Sequence, residues 1–498
     1  MNTEIILTSC QKRAFKRIKK LTNLFITGNA GTGKSTLMSD FIKWFEKYQP
    51  HKTYKITSST GSSALLIQNA STIHSYLGAT KSSDFFPLKN VMSLLRRNPD
   101  RAKDLYYLDL LIIDEISMIS NIFFDKIAEF FFLINRYFMT FYEQEKDDGI
   151  NLPNLDYFYK TYLNHNIAKD ICLNIGEKLQ LILCGDFRQL PPVKSYEERN
   201  ADYAFKSSAW KINNIKTEIL QENCRVSDDD FFNMLLKNAA HANKNLSDIY
   251  IQKLNETRTN NIVNPTKIFC TKDKRDKENY IQYQKLKYGS YNEVIYRTEF
   301  SKNSETRNWL KEIGINNSDI ADISLIVGAV VLITYNIDLE NGLANGTKGV
   351  VTELTNTGPK IKYEKKDKNG FIEVIIKPIE KRYNINNKCQ ENDECPVPAS
   401  RNKTGDGVPT HCWEHGRNME PCNIYVKYYP VMLGYAMTTH RSQGMTLEGV
   451  EFDPEDVFLP GQAYVAISRV KKLEHIKIIG NINKNHFLQD EAVMNFYK

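Results

Sequence analysis

Gly28-Asn29-Ala30-Gly31-Thr32-Gly33-Lys34-Ser35 decides the fold. This stretch follows the apolar residues 24–27 and opens a helix at Thr36. A glycine-rich loop ending in Gly-Lys-Ser between a strand and a helix is the phosphate-binding pattern. Gly28, Gly31 and Gly33 let backbone N–H groups curl around phosphate oxygens, and the following helix presents its positive end to them. Lys34 is expected to reach the β- and γ-phosphates of a bound triphosphate. The Ser35 hydroxyl is expected to hold Mg²⁺, and Thr36 beside it is expected to join the nucleotide-binding residues.

Outward from the loop, four short apolar runs occupy residues 24–27, 54–57, 108–113 and 179–184, with helix-like segments between them. Continuous apolar character, without alternation, marks a strand covered on both faces, as in a parallel sheet. The fold class is therefore α/β. The third run ends in Asp114-Glu115, which places two carboxylates at the carboxyl edge of the sheet beside the loop. Asp114 is expected to bind Mg²⁺, and Glu115 to orient and deprotonate the attacking water. The fourth run leads into Gly185-Asp186-Phe187-Arg188-Gln189-Leu190-Pro191-Pro192-Val193. Gln189 is placed there to sense a γ-phosphate, and the two prolines fix the direction of exit.

The chain has 498 residues, 41% hydrophobic and 25% charged, with a net charge of +7. That length suits roughly three domains, and the charge permits a nucleic-acid partner without demanding one. Nine cysteines, an odd count scattered without a secretory h-region, disfavour a disulfide framework and favour a reducing, intracellular compartment. The apolar runs are far too short to span a bilayer. The basic start (Lys12, Arg13, Lys16, Arg17) runs straight into the first strand, leaving no room for a cleavable presequence. Residues 85–104 form a small basic insertion containing Arg96 and Arg97, and residues 143–177 a longer polar one. From 350 to 423 the pattern alternates, as in a small β-domain, and α/β character returns from 425.

With the loop, Asp114-Glu115-Ile116-Ser117-Met118 and residues 185–193 in place, the sequence resembles the superfamily 1B helicases of the petite-integration-frequency (Pif) type. Gln11 resembles that family's adenine-reading glutamine. Thr60-Gly61 and Thr72-Ile73-His74-Ser75 resemble a motif that lines its DNA channel, although Ser59 and Ser62-Ser63 depart from the usual residues there. The stretch at 220–225, ending in Arg225, is similar to the fourth motif. Gly328-Ala329, Asn336 and 343–349 resemble the lead into an SH3-like domain. Thr438-Thr439-His440-Arg441-Ser442-Gln443-Gly444-Met445-Thr446 and Gly461-Gln462-Ala463-Tyr464-Val465-Ala466-Ile467-Ser468-Arg469 match the fifth and sixth motifs.

The resemblance implies two RecA-like P-loop domains, with a wedge inserted in the first and an SH3-like β-domain inserted in the second. The expected boundaries are 1–205 for the first domain, with the wedge at about 80–105 and the extra insertion at 143–177. The second takes 206–349 and 424–498, and the β-domain 350–423. ATP and Mg²⁺ are the implied cofactors, with Arg225 and Arg469 delivering positive charge to the transferred phosphate and Gln443 and Gly444 joining the nucleotide site. Thr60, His74, His440 and Arg441 are the implied DNA contacts. The implied partners are single-stranded and forked or tailed duplex DNA, and the implied motion is 5′-to-3′.

Lys272, Lys274, Arg275 and Lys277 form a charge run that reads as a solvated face before it reads as a phosphate track. Cys389, Cys395, Cys412 and Cys422 share one polar stretch with His411 and His415. Their irregular spacing, without a tight Cys-x-x-Cys pair, favours free thiols in a surface loop over a zinc site. An RNA-directed helicase, or a translocase that strips proteins without unwinding, would use the same motor core. A GTPase switch would need an Asn-Lys-x-Asp motif, and none is visible. A binding module with a degenerate site conflicts with the intact Lys34, Asp114, Glu115 and Arg469.

Overall fold

In a computed structural model of the chain, the described residues are all except 1–6, 21, 61–69, 80–81, 83–84, 140–157, 160–161, 163–172, 176–177, 195–197, 223–228, 242–245, 263–264, 290–291, 301–321, 336, 339–340, 344–345, 365–369 and 385–422. They divide into two compact units, residues 1–275 with 436–498, and residues 276–435.

The first unit opens with helix α1 (Ser9–Ile18), started by a capping box between Thr8 and Gln11. Strand β1 (Leu24–Gly28) then leads through the phosphate loop to α2 (Lys34–Tyr48). Strands β2 (Tyr54–Ser58), β3 (Ser71–Thr72), β4 (Leu110–Asp114), β5 (Gln180–Gly185) and β6 (Lys216–Leu220) complete a six-stranded sheet of order β3-β2-β4-β5-β1-β6. Every pairing in it is parallel. Alternate residues of one strand reach opposite faces. Leu24, Ile26, Leu110 and Ile112 pack with α1 and α2. Phe25, Leu111 and Ile113 pack on the other side with α3 (Pro87–Arg97), α4 (Pro99–Tyr106) and α5 (Asn121–Tyr137). Both faces are covered, which is why the strands read as unbroken apolar runs.

The expected end of the first domain at 205 is corrected by β6, which pairs with β1 from Leu24↔Lys216 to Gly28↔Leu220. This edge strand carries Lys216, Thr217 and Glu218 and so lacks the apolar signature. Glu218 is buried instead as the ion-pair partner of Arg13 and Arg17 on α1. The polar insertion expected at 143–177 lies mostly outside the described residues, but Phe158, Leu173 and Ile175 are buried in the core around α5. Helix α6 (Asp230–Ala240) follows, and β7 (Thr266–Phe269) begins a second sheet. Helix α7 (Lys272–Lys287) starts just after it.

In the second unit, β8 (Glu293–Tyr296) pairs with β10 (Ile323–Ile326), and β9 (Glu299–Phe300) edges β15 (Ile379–Asn384) and β16 (Asn423–Tyr428). The principal sheet has the order β14-β13-β12-β11-β17 and is antiparallel. Its strands are β11 (Val330–Ile333), β12 (Lys348–Thr355), β13 (Gly358–Glu364), β14 (Phe371–Ile375) and β17 (Val431–Leu433). The β-domain boundaries of 350 and 423 are thereby corrected to include β11 and β17. Both are short and apolar, and such strands look alike in a parallel sheet and an antiparallel core. Asn336 and the four cysteines at 389, 395, 412 and 422 lie outside the described residues.

The chain returns to the first unit with β18 (Ala436–Thr438), α8 (Thr439–Ser442), β19 (Val450–Phe452), α9 (Gln462–Ile467), β20 (Ile476–Ile478) and α10 (Glu491–Phe496). The second sheet is parallel with the order β18-β7-β19-β20. Among the described residues no helix is long and apolar enough to cross a membrane. The described cysteines, Cys10, Cys184 and Cys270, are free thiols and buried.

Candidate functional site

The phosphate loop begins under a steric constraint. A Cβ at Gly28 (φ +153°) would stand 2.5 Å from the Leu220 carbonyl of β6 and 2.7 Å from Thr32 Oγ1. Gly31 and Gly33 are left-handed, and Gly33 forms the N-cap of α2. Lys34 Nζ donates to Gly28 O at 2.7 Å and Asn29 O at 3.2 Å, across the mouth of the loop. Burial lowers its pKa, and the carboxylates of Asp186, Glu115 and Asp114 oppose that shift. Gln11 is buried, and its Nε2 donates to the loop carbonyls of Thr32 and Gly33 at 3.2 and 3.4 Å. Its Oε1 accepts from Thr8 N–H. The expected adenine reader thus also braces the loop from α1.

Asp114 closes β4 and is buried; burial first, and then the charge of Glu115, push its pKa up to about 7. Glu115 sits at φ +51°, ψ +43°, in the left-handed region that non-glycine residues rarely occupy. From there its carboxylate meets Gln443 Nε2 at 3.1 Å, which also lies 3.2 Å from Ser117 Oγ. Gln443 follows α8 on the second sheet, so a residue expected in the nucleotide set positions the expected base. Its Oε1 is buried without a partner.

At the end of β5, Asp186 is wholly buried and pairs with Arg188 Nε at 2.7 Å. Arg188 lies over the Tyr497 ring, 4.4 Å from its centroid, and contacts His241 Nε2 at 3.0 Å. Gln189 is buried, with an unpartnered Oε1. Gly461 (φ +78°), the N-cap of α9, leaves no room for a Cβ, which would run into the carbonyls of Gln189 and Arg188. Gly461→Ala is therefore expected to cost about 1–3 kcal/mol, read as a lower thermal midpoint in a melting experiment.

Arg469 is buried and held both by the end of α9 and by the segment around Ser442 and Met445. Its Nε donates to Val465 O at 2.8 Å, its Nη1 to Ser442 O and Met445 O, and its Nη2 to Ser468 Oγ. Arg225 lies outside the described residues.

Of the expected DNA contacts, Thr60 and Arg441 are half-buried, and Gly61 lies outside the described residues. His74 is stacked on Phe123 with ring centroids 4.5 Å apart, and burial lowers its pKa to about 4. Its Nε2 lies 3.2 Å from Ser82 Oγ, so the ring is engaged inside the first unit. His440 is lowered by burial and by Lys272. The charge run at 272–277 is corrected in two positions. Arg275 is buried, and Lys274 Nζ is paired with Asp453, Glu455 and Asp456.

The sequence reading missed Tyr464 and Tyr497. Tyr464 Oη accepts from the Ala30 N–H at 2.8 Å and lies 3.4 Å from Asp186 Oδ2. Tyr497 Oη accepts from Phe187 N–H at 3.1 Å and lies 2.8 Å from Thr27 Oγ1. The signal available for Tyr464 was its place inside the sixth motif.

The family model described as PIF1-like helicase matches residues 6–139 and 165–260. That described as DNA helicase Pif1, 2B domain, matches residues 309–354. Uncharacterized protein 030L of Invertebrate iridescent virus 6 is 28% identical, over 96% of this chain and 91% of that protein. ATP-dependent DNA helicase PIF1 of Danio rerio is 28% identical, over 96% of this chain and 61% of that protein. The crystal structure of Pif1 helicase from Candida albicans matches with a TM-score of 0.70 and 25% identity, over 99% of both chains. That of Pif1 helicase from Bacteroides in complex with ADP-AlF3 and ssDNA matches with a TM-score of 0.69 and 22% identity, over 99% of this chain and 97% of that one.

Proposed function

The chain belongs to the PIF1-like helicase family, and from that premise we infer that it is an ATP-dependent DNA helicase moving 5′-to-3′ on single-stranded DNA and separating duplex as it goes. The observation that carries this reading is the contact of Gln443, from the second sheet, with Glu115 beside the phosphate loop of the first. A motor needs hydrolysis to depend on where its two nucleotide-flanking sheets stand, and this contact makes the position of the base depend on both.

The two parallel sheets are assigned as RecA-like domains. Helices α3 and α4 are assigned as the wedge, and the antiparallel second unit as the inserted SH3-like domain. The loop amides and Lys34 bind the phosphates of ATP, while Glu115 takes the proton of the attacking water. Ser35 and Asp114 would hold Mg²⁺. A buried carboxylate with a raised pKa beside a second carboxylate suits a cation that takes few protein ligands and completes its shell with phosphates and water. When bound, Mg²⁺ supplies positive charge to the β- and γ-phosphate oxygens. Gln189 is assigned to the γ-phosphate and Gly444, with Gln443, to the nucleotide site, and Arg225 and Arg469 are assigned as the cations supplied to the leaving charge. Thr60, His440 and Arg441 are assigned to the DNA path, with His74 supporting it from behind through Phe123.

The test uses duplexes with a 5′ tail, a 3′ tail or an RNA tail strand, with ATP present. Unwinding from the 5′ DNA tail alone is expected. Unwinding only from 3′ tails would overturn the assignment of direction, and preference for the RNA strand that of substrate.

A further inference from the structure

The entry to the phosphate loop and its third residue are tied to one buried carboxylate through tyrosine hydroxyls. Tyr464 Oη accepts the Ala30 N–H at 2.8 Å, so its own proton is directed to Asp186 Oδ2 at 3.4 Å. Tyr497 Oη accepts the Phe187 N–H and neighbours Thr27 Oγ1 at 2.8 Å, with Asp186 Oδ1 at 3.5 Å. Thr27 precedes the loop and Ala30 lies within it. Arg188 balances the charge of Asp186 at Oδ1, the oxygen that Tyr497 also approaches. Burial and the charge of Asp186 raise both tyrosine pKa values, which keeps the hydroxyls protonated.

An N–H has one hydrogen to give, and the N–H groups of a phosphate loop are the donors that phosphate oxygens take. Tyr464 also belongs to α9, whose Val465 carbonyl anchors the Arg469 guanidinium. We propose that Tyr464 is a positioning residue that competes with a nucleotide phosphate for the Ala30 amide, so that ATP binding releases its hydroxyl and loosens the helix that holds Arg469. This rests on the assignment of the loop as the ATP site. The hand-over makes the freeing of Arg469 follow the loading of the loop. Of the carbonyls that hold the guanidinium, Val465 O is the one on α9, and its hold slackens when α9 is let go.

The test is the affinity of the full chain for a non-hydrolysable ATP analogue with Mg²⁺, measured for the parent, Tyr464→Phe and Tyr497→Phe. Tyr464→Phe keeps the ring and removes the competing acceptor, so the analogue is expected to bind about five-fold more tightly. Tyr497→Phe leaves the Ala30 contact intact, so its affinity is expected to stay within about two-fold of the parent, well short of the change expected from freeing one loop donor. Unchanged or weaker binding by Tyr464→Phe would overturn the proposal, because the Ala30 N–H freed of its competing acceptor must then add nothing to the affinity. Equal tightening in both variants would also overturn it, since general loosening would then be the cause. A parent that binds no analogue would sink the ATP-site assignment itself, a result distinct from either.

Discussion

Glu115→Gln is expected to lower DNA-stimulated ATP hydrolysis by about a thousandfold or more, within the range that loss of a positioned general base produces, while single-stranded DNA is bound as before. The substitution is nearly isosteric. A glutamine Oε1 can still accept from Gln443 Nε2, which lies 3.1 Å from the carboxylate, so the side chain keeps its place. The left-handed backbone at 115 is a property of the turn out of β4, and the variant inherits it. What is lost is basicity alone: an amide cannot take the proton of the attacking water. Steady-state hydrolysis with saturating DNA, alongside fluorescence anisotropy of a labelled strand, separates the two effects. Near-normal turnover with intact DNA binding would show that Glu115 is not the base.

The parts of this site that are legible in the sequence are those whose chemistry is local. The loop at 28–35 is eight consecutive residues between a strand and a helix, and Asp114-Glu115 closes an apolar run. Each therefore carries its own context. The parts that were not legible depend on chain segments far apart. Tyr464 and Tyr497 reach Thr27, Ala30 and Asp186 from about 280 to 470 residues away in sequence, and nothing in a tyrosine's neighbours marks such a partner. Gln443 was placed at the nucleotide by resemblance, yet its amide is aimed at Glu115.

Charge misled in a similar way. Arg275 and Lys274 stand in a run of cations on α7, and runs of cations usually face water. Here three acidic residues in 453–456 follow β19, whose parallel pairing with β7 brings them to Lys274. Strand β6 escaped notice for the opposite reason: its polar residues suit an edge, where Glu218 answers Arg13 and Arg17. Charge alone was not wrong about exposure in general, but pairing across the sheet decides it residue by residue.

Arg469→Ala is expected to lower hydrolysis by about a thousandfold, the lower end of what an arginine supplied to a phosphoryl transition state contributes, and to lower the thermal midpoint as well. The second effect follows from the contacts. The guanidinium donates to the carbonyls of Val465, Ser442 and Met445 and to Ser468 Oγ. Removing it takes the donor from several buried acceptors at once. A fall in activity alone would therefore be ambiguous, since a loosened α9 displaces its neighbours too. Arg469→Lys separates the roles. The ammonium can reach one or two of those carbonyls, so part of the lost stability returns, but it cannot present the planar fork that bridges phosphate oxygens. The expected outcome is a midpoint between those of the parent and the alanine variant, with single-turnover hydrolysis still depressed by about two to three orders of magnitude. Recovery of hydrolysis in step with the midpoint would mean that Arg469 serves only to fasten α9 to the end of α8 and the loop that follows it, and the cation for the leaving phosphate would then have to come from elsewhere in the chain.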